Sequence, residues 1–128
     1  MNVLIDSHAL IWSYSDQQKL SSTAATTLAD PANQVMVSAA SLWEIAIKIS
    51  IGKLQLGEPF EDFVQHAVVD NGVPIIPIEP RHAAQVIALP HYHRDPFDRM
   101  MVAQAIVEKL PAVSSDSRLD QYGIQRIW

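Results

Sequence analysis

Short apolar runs alternate with longer stretches of helical periodicity along the whole chain. Apolar runs bounded by polar or turn residues, such as NVLI near the start, are typical of buried strands. Predicted strands cover residues 2–5, 34–37, 73–78, 111–114 and 124–127. Predicted helices cover residues 7–14, 21–29, 38–51, 58–69, 80–89 and 95–110. This alternation predicts an α/β domain with a central, mostly parallel sheet of four to five strands and helices on both faces.

Parallel sheets of this kind bind ligands outside the carboxyl ends of their strands. Asp6 directly follows the first predicted strand, and Asp116 follows the fourth. Both carboxylates are therefore expected at the rim where a functional site forms. Each also has a purely structural alternative, because aspartate is a preferred N-cap for the helical segment that follows.

The composition indicates one domain spanning residues 1–128 around a single core, since 48% of the 128 residues are hydrophobic. The absence of cysteine excludes disulfides and thiolate metal sites. No apolar run approaches the roughly 18 residues that a membrane span requires. The first residues lack the basic region of a signal peptide and include an acid, so a cytoplasmic location is expected.

The net charge of the chain is −5, from 14 acidic and 9 basic residues. That sign is unfavourable for a protein that binds nucleic acid through charge alone. Chemistry on phosphate groups would therefore need a local source of positive charge, such as a bound cation.

Glu44 lies within SAASLWEIAIKIS, a predicted helix with apolar residues on nearly every side. Such a helix is mostly buried, and an isolated buried carboxylate is energetically unfavourable. Two explanations are therefore open for this residue. Glu44 either pairs with Lys48, one helical turn later, or coordinates a metal ion.

HYHRDPFDRMM, residues 91–101, places two aspartates at the start of the longest predicted helix. Pro96 is favoured at the first helical position, which makes Asp95 the N-cap and Asp98 the third helical residue. Asp98 shares a helix face with Val102 and so points toward the packed side. We interpret Asp98 as a ligand, because Asp95 already has the structural task of capping. The alternative is that the two acids form only a cap pair.

Helices next to the first strand would bring Glu44 and Asp98 to the same rim as Asp6 and Asp116. Four clustered carboxylates repel one another, and at least one pKa would rise unless a cation neutralised them. A set of oxygen ligands without cysteine suits Mg²⁺ or Mn²⁺. Such ions activate water and hold a phosphodiester for in-line displacement.

Other polar and aromatic residues near the acids have less specific expectations. His91 and His93 are expected to face solvent, the alternative being a zinc site. His8 either forms a hydrogen bond within the site or faces solvent. Three arginines either bind substrate phosphate or pair with the acids: Arg94, Arg99 and Arg118. Three aromatic residues are most simply part of the core: Trp12, Trp43 and Phe97.

Four segments together resemble the motifs of PIN domain proteins, in particular the VapC-type toxins of bacterial toxin–antitoxin pairs. NVLIDSHALIW resembles the opening strand with its first acid, and VSAASLWEIAIKISIGKL resembles the second acidic segment. LPHYHRDPFDRMMVAQA resembles the third segment, and SSDSRLDQYG the fourth, in which serine stands where threonine is frequent. The resemblance covers the whole chain and implies four catalytic, metal-binding residues: Asp6, Glu44, Asp98 and Asp116. Supporting or substrate-binding roles are expected for Ser7, His8, Asp95, Arg99 and Ser115.

The resemblance implies an endoribonuclease that uses Mg²⁺ or Mn²⁺ to cut RNA as the toxin of such a pair. It also implies a homodimer and an antitoxin partner, and the acidic site favours an antitoxin that inserts a basic segment there. The alternative is a catalytically inactive PIN scaffold that binds a protein or RNA partner. A haloacid-dehalogenase-like phosphatase is disfavoured, because residues 6–8 read Asp-Ser-His where that class has Asp-x-Asp.

Overall fold

The computed structural model describes residues 1–128 and contains one five-stranded sheet. Every pairing in the sheet is parallel, and the strand order is β3-β2-β1-β4-β5. The strands are β1 (Asn2–Ile5), β2 (Gln34–Ser38), β3 (Ile75–Ile76), β4 (Ala112–Val113) and β5 (Arg126–Ile127). The predicted α/β class and parallel sheet are therefore confirmed, with all five strands present.

Helices make up most of the remaining chain. The α-helices are α1 (Ser7–Ser15), α2 (Ser22–Ala29), α3 (Ala39–Ser50), α4 (Phe60–Val64), α5 (Pro80–Ala88) and α6 (Pro96–Glu108). Short 3₁₀ segments lie at Gln17–Lys19 and Ser117–Tyr122. The helix predicted over residues 58–69 changes character after α4, because Gln65–Val69 forms a π-helical turn. None of these helices is long and apolar enough to cross a membrane.

The two faces of β1 are buried under different sets of helices. Val3 and Ile5 belong to a core cluster with residues from α1 to α4. Leu4, which alternates with them and points to the opposite face, packs with Met101 and Val102 of α6. Covering both faces explains why this strand is apolar at successive positions rather than at alternate ones.

Several elements are shorter than the sequence predicts, and for β3 and α6 the reason is identifiable. β3 keeps only two residues, because Pro74 and Pro77 on either side lack the N–H group that a strand ladder uses. α6 ends at Glu108 because Lys109 adopts a left-handed conformation, with φ of 56°, and caps the helix.

The strand order reverses at β1, which lies at the centre of the sheet. β2 and β3 extend the sheet to one side of β1, while β4 and β5 extend it to the other. Such a reversal leaves a crevice at the carboxyl ends of the flanking strands, here β1 and β4. The backbone N–H of Asp6 donates to the carbonyl of Val113 at 3.1 Å, which joins the two strand ends at this crevice.

Candidate active site

A polar cavity of about 760 Å³ opens at the carboxyl ends of β1 and β4. Five acids line it: the four predicted ligands Asp6, Glu44, Asp98 and Asp116, and the predicted cap Asp95. Three basic residues line the same cavity: Lys48, Arg94 and Arg118. The fold therefore brings the acids predicted at the rim into one cavity, and it places lysine and arginine side chains beside them.

Asp6 is held by two hydrogen bonds at the start of α1. Its Oδ1 accepts from the backbone N–H of Ala9 at 2.7 Å, and the Ser114 hydroxyl also bonds to the carboxylate. Burial raises the pKa of Asp6 above its ordinary value of 3.8, although both hydrogen bonds oppose the shift. Asp6 therefore caps α1 and faces the cavity, so the two explanations offered for it are compatible.

Glu44 is only 3% exposed, and both of its carboxylate oxygens have partners. The Ser7 hydroxyl donates to Oε1 at 2.9 Å, and the Lys48 ammonium donates to Oε2 at 2.6 Å. Partial burial alone would lower the pKa of Lys48, but the pair with Glu44 raises it. The ion pair considered from the sequence is thus present, and Glu44 lines the cavity as well.

Asp95 and Asp98 do different things at the start of α6. Asp95 is the N-cap, as predicted, because its Oδ1 accepts from the N–H groups of Phe97 at 2.8 Å and Asp98 at 3.1 Å. Burial, followed by the charges of Asp95 and Glu44, raises the pKa of Asp98 to about 7, while the charge of His93 acts in the opposite direction. Asp98 is therefore an acid whose negative charge the protein compensates poorly.

The negative charge of Asp116, unlike that of Asp98, is strongly compensated by its neighbours. Its Oδ1 accepts from the backbone N–H of Arg118 at 3.0 Å, and the guanidinium of the same arginine binds both carboxylate oxygens at 2.9 Å. Burial alone would raise the pKa of Asp116, but hydrogen bonds from Arg118 and His93 hold it well below its ordinary value. Of the two roles considered for this arginine, pairing with an acid is therefore the one observed.

His93 lies within the site, contrary to the expectation from sequence. It was expected in solvent, but it is only 3% exposed, whereas His91 is exposed as predicted. Its Nε2 lies 2.8 Å from Asp116 Oδ2 and 3.2 Å from Asp98 Oδ2. The residue sits in an irregular loop between α5 and α6, and such loops have no periodic pattern from which burial can be predicted.

Arg99 does not occupy the site where a substrate-binding or supporting role was expected. Its side chain is 8% exposed and lies outside the cavity. The guanidinium donates to the backbone carbonyls of Val86, Leu89 and Pro90, so it pairs with no acid. A buried guanidinium has five N–H donors to satisfy, and these main-chain oxygens satisfy several of them.

The remaining supporting residues lie at or near the cavity. Ser7 contacts Glu44, while His8 and Ser115 line the cavity wall. The hydroxyl that bonds to an acid after β4 is that of Ser114, which is fully buried. A pair of adjacent serines gives no indication from sequence of which one turns inward.

Trp43 does not belong to the core, contrary to the expectation from sequence. It is 61% exposed and packs edge-on against Phe97, with ring centroids 5.3 Å apart. Ile45, two residues later, is buried, because positions two apart lie on opposite sides of a helix. Phe97 and Trp12 are half-buried, and Trp12 lines the cavity.

The raised pKa of Asp98 predicts that the metal-free protein loses stability as the pH rises. The Asp98 carboxyl releases its proton near pH 3.8 in the unfolded chain and near pH 7 in the folded chain. Between these pH values the folded state therefore binds the proton more tightly. The resulting stabilisation is complete below about pH 4 and lost above about pH 7. Denaturant unfolding of metal-free protein at pH 5 and pH 8 measures it. The same difference in an Asp98→Asn protein would show that other groups cause it.

The donor atoms at the cavity fit a hard divalent cation. Lys48 and Arg118 pair with two of the acids, whereas Asp6 and Asp98 have no lysine or arginine partner. Carboxylate oxygens are the ligands that Mg²⁺ and Mn²⁺ prefer, and a cation would supply the missing positive charge.

Comparisons with known proteins agree with this fold. Residues 3–125 match the PIN domain family. Ribonuclease VapC22 of Mycobacterium tuberculosis (strain ATCC 25618 / H37Rv) is 33% identical over 118 residues, which cover 91% of this chain and 88% of that protein.

Two solved structures share the fold at low sequence identity. VapBC2 from Rickettsia felis, bound to a DNA fragment from their promoter, gives a TM-score of 0.70 at 13% identity, covering 98% of this chain and 97% of that one. FitAcB from Neisseria gonorrhoeae gives a TM-score of 0.66 at 16% identity, covering 98% of this chain and 96% of that one. With the family match over nearly the whole chain, the protein belongs to the PIN domain family, as a VapC-type member.

Proposed function

We propose that this protein is the ribonuclease toxin of a toxin–antitoxin pair, a single PIN domain over residues 1–128 that hydrolyses RNA phosphodiester bonds. The observation that carries the proposal is the convergence of the four proposed ligand acids on the crevice between β1 and β4, two of them without a lysine or arginine partner. The similarity to a protein named ribonuclease VapC22 supports the choice of RNA as substrate.

The proposed cofactor is Mg²⁺ or Mn²⁺, held by Asp6, Glu44, Asp98 and Asp116. Such a cation, when bound, lowers the pKa of a water molecule and offsets the charge that develops on phosphate oxygens. Asp6 and Asp98 contribute the uncompensated negative charge that attracts it. Glu44 and Asp116 are held in position by their basic partners, which limits the movement of the ligand set.

Residues around the acids give the RNA backbone and bases places to bind. Arg94 is exposed on the cavity wall and is free to bind a phosphate group. Tyr92 lines the same cavity, is 52% exposed and presents a ring on which an unpaired base stacks. Base stacking on Tyr92 would favour RNA that is single-stranded at the cleavage point, because a base within a duplex is not free to stack on protein.

The activity is tested with end-labelled RNA, with and without a chelator. We expect cleavage in Mg²⁺ or Mn²⁺, its loss on chelation and its return when the ion is added back. Asp62→Asn provides a control for the loss of one negative charge, because Asp62 is exposed on α4 and outside the cavity. A protein that binds its partner but cleaves no RNA under any of these conditions would be the inactive scaffold instead.

The proposed partner is an antitoxin whose basic segment enters the acidic cavity. An arginine or lysine placed there would compensate the same acids that a cation compensates. The solved complexes of related fold, VapBC2 among them, support a protein partner. We expect charge reversal of that basic segment to weaken the complex and restore cleavage. A complex in which the partner leaves the cavity open would contradict this mode of inhibition.

We further propose that the protein acts as a homodimer in the cytoplasm, where its RNA substrate lies. Exposed apolar side chains support self-association, since a monomer would leave them in water: Trp43 of α3, Ile78 just before α5, and Ile87 of α5. Light scattering of the purified protein measures the mass directly. A mass equal to one chain at micromolar concentration would contradict the dimer.

A further inference from the structure

The loop between α5 and α6 determines which nitrogen of His93 carries a hydrogen. The backbone N–H of Asp95 donates to Nδ1 at 3.1 Å, so Nδ1 presents its lone pair. The neutral imidazole then carries its hydrogen on Nε2. That hydrogen faces Asp116 Oδ2 at 2.8 Å and Asp98 Oδ2 at 3.2 Å from the nitrogen.

We propose that His93 is a positioning residue that bridges Asp98 and Asp116 as a hydrogen-bond donor and is not itself a metal ligand. This inference rests on the metal-dependent function proposed above. One N–H group shared by two carboxylates holds their oxygens closer than mutual repulsion would otherwise allow. Asp98 keeps its second oxygen for a cation, whereas both oxygens of Asp116 also accept from Arg118, so a cation bound there would replace one of those hydrogen bonds.

Distance alone would favour a different role for His93. Its Nε2 and one oxygen from each of the two acids lie within 4.8 Å of one another, a spacing that suits three ligands around one ion. Ligation through Nε2 requires a lone pair there, which moves the hydrogen to Nδ1. Nδ1–H would then face the N–H of Asp95, and two donors would oppose each other. Asp95 also caps α6, so its backbone is not free to turn away.

Two further contacts hold His93 in the bridging orientation. Its backbone N–H donates to the Tyr122 hydroxyl at 2.9 Å, and Tyr122 ends the 3₁₀ segment that Asp116 begins. Arg99 donates to the same hydroxyl at 3.4 Å, which links the loop to α6. The loop is therefore fastened to both elements that carry the bridged acids, Asp98 and Asp116.

The tautomer of His93 is measured by long-range ¹H–¹⁵N correlation on protein labelled in its histidine rings. Comparison with a His93→Gln protein identifies the signals of this ring among those of the five histidines. We expect the hydrogen on Nε2 in the metal-free protein and also after loading with Mg²⁺. Movement of the hydrogen to Nδ1 on loading would overturn the proposal, because it would mark Nε2 as a ligand.

Pulsed electron paramagnetic resonance of the Mn²⁺-loaded protein gives an independent answer. A directly bound ¹⁵N nucleus couples strongly to the ion, whereas a bridging imidazole does not bond to it. We expect no coupling of a directly bound nitrogen. Such a coupling in the parent protein that disappears in His93→Gln would overturn the proposal.

Two substitutions separate the hydrogen bond from the ring itself. His93→Ala removes the bridge and is expected to weaken Mg²⁺ binding about 10- to 100-fold, as for other groups that orient metal ligands. His93→Gln keeps a donor near the position of Nε2 and is expected to recover most of that loss. His91→Gln is the matched control from the same loop and is expected to bind Mg²⁺ like the parent. A His93→Gln protein that binds Mg²⁺ as weakly as the His93→Ala protein would overturn the bridge.

The same measurements distinguish failure of this inference from failure of the proposed function. If the parent protein binds neither ion, the metal-dependent function is wrong. The tautomer of the metal-free protein still tests the bridge, because it needs neither ion nor RNA: hydrogen on Nδ1 contradicts the bridge.

Discussion

Replacing Asp98 with asparagine is expected to reduce divalent metal affinity and RNA cleavage together, by more than about 100-fold. The decrease should exceed this value because loss of a group that only orients a metal ligand already lowers metal affinity or activity by about 10- to 100-fold. Asparagine keeps the shape but replaces an anionic oxygen with a neutral one, and hard cations depend on ligand charge. Calorimetric Mg²⁺ titration and cleavage across a range of Mg²⁺ concentrations measure both effects. Cleavage should recover in part at high Mg²⁺.

The matched variant is Asp95→Asn, three residues earlier in the same helix start. Asparagine is nearly as good an N-cap as aspartate, so the change should lower stability by well under about 1 kcal/mol. Metal affinity should remain close to that of the parent, with a modest decrease in cleavage. If Asp95→Asn is inactive and rescued by metal while Asp98→Asn cleaves normally, the two roles are reversed. If both cleave like the parent, the proposed ligand set is wrong.

Glu44→Gln is expected to abolish cleavage and also to lower the melting temperature of the metal-free protein. Both oxygens of Glu44 accept hydrogen bonds, and a glutamine amide can still bond to Ser7, whose hydroxyl also accepts, but it offers the Lys48 ammonium only a neutral oxygen. Loss of one partner of a fully buried pair lowers stability by about 3–5 kcal/mol. Lys48 is 33% exposed and can be hydrated, so we expect about 1–2 kcal/mol here.

A double-mutant cycle with Lys48→Gln isolates the contribution of the pair to stability. If the pair is stabilising, the double variant should be more stable than the sum of the two single losses predicts. A Glu44→Gln protein that melts like the parent would indicate that relief of repulsion among the acids offsets the lost pair. One that cleaves like the parent would remove Glu44 from the ligand set.

Several features of this protein were predictable from sequence because they depend on local order along the chain. Apolar runs alternate with helical periods, which is enough to indicate four to five strands and a mostly parallel sheet. The position of Asp6 directly after β1 and of Asp116 after β4 follows from the same pattern. Pro96 at the first helical position identified Asp95 as the N-cap, because proline favours that position for a local steric reason.

Other features needed the tertiary structure because they depend on neighbours that are distant in sequence. The strand order is one: nothing in the chain around β1 indicates that β2 lies on one side and β4 on the other. The burial of Arg99 is another, since its carbonyl partners lie in the last turn of α5 and just after it rather than beside it in α6. Trp43 was expected in the core because its helix is apolar on most sides, and only packing decided which side is covered.

Local order along the chain is thus sufficient for the fold class, the four acids at the rim and the capping role of Asp95, since periodicity and helix-cap chemistry act between nearby residues. Packing was needed to show that His93 is buried between Asp98 and Asp116 and that Asp98 is left with a raised pKa. The burial of His93 and the raised pKa of Asp98 depend on distances of a few ångströms between separate elements. Those distances arise only when the helices pack onto the sheet, so they cannot be predicted from composition or from spacing along the chain.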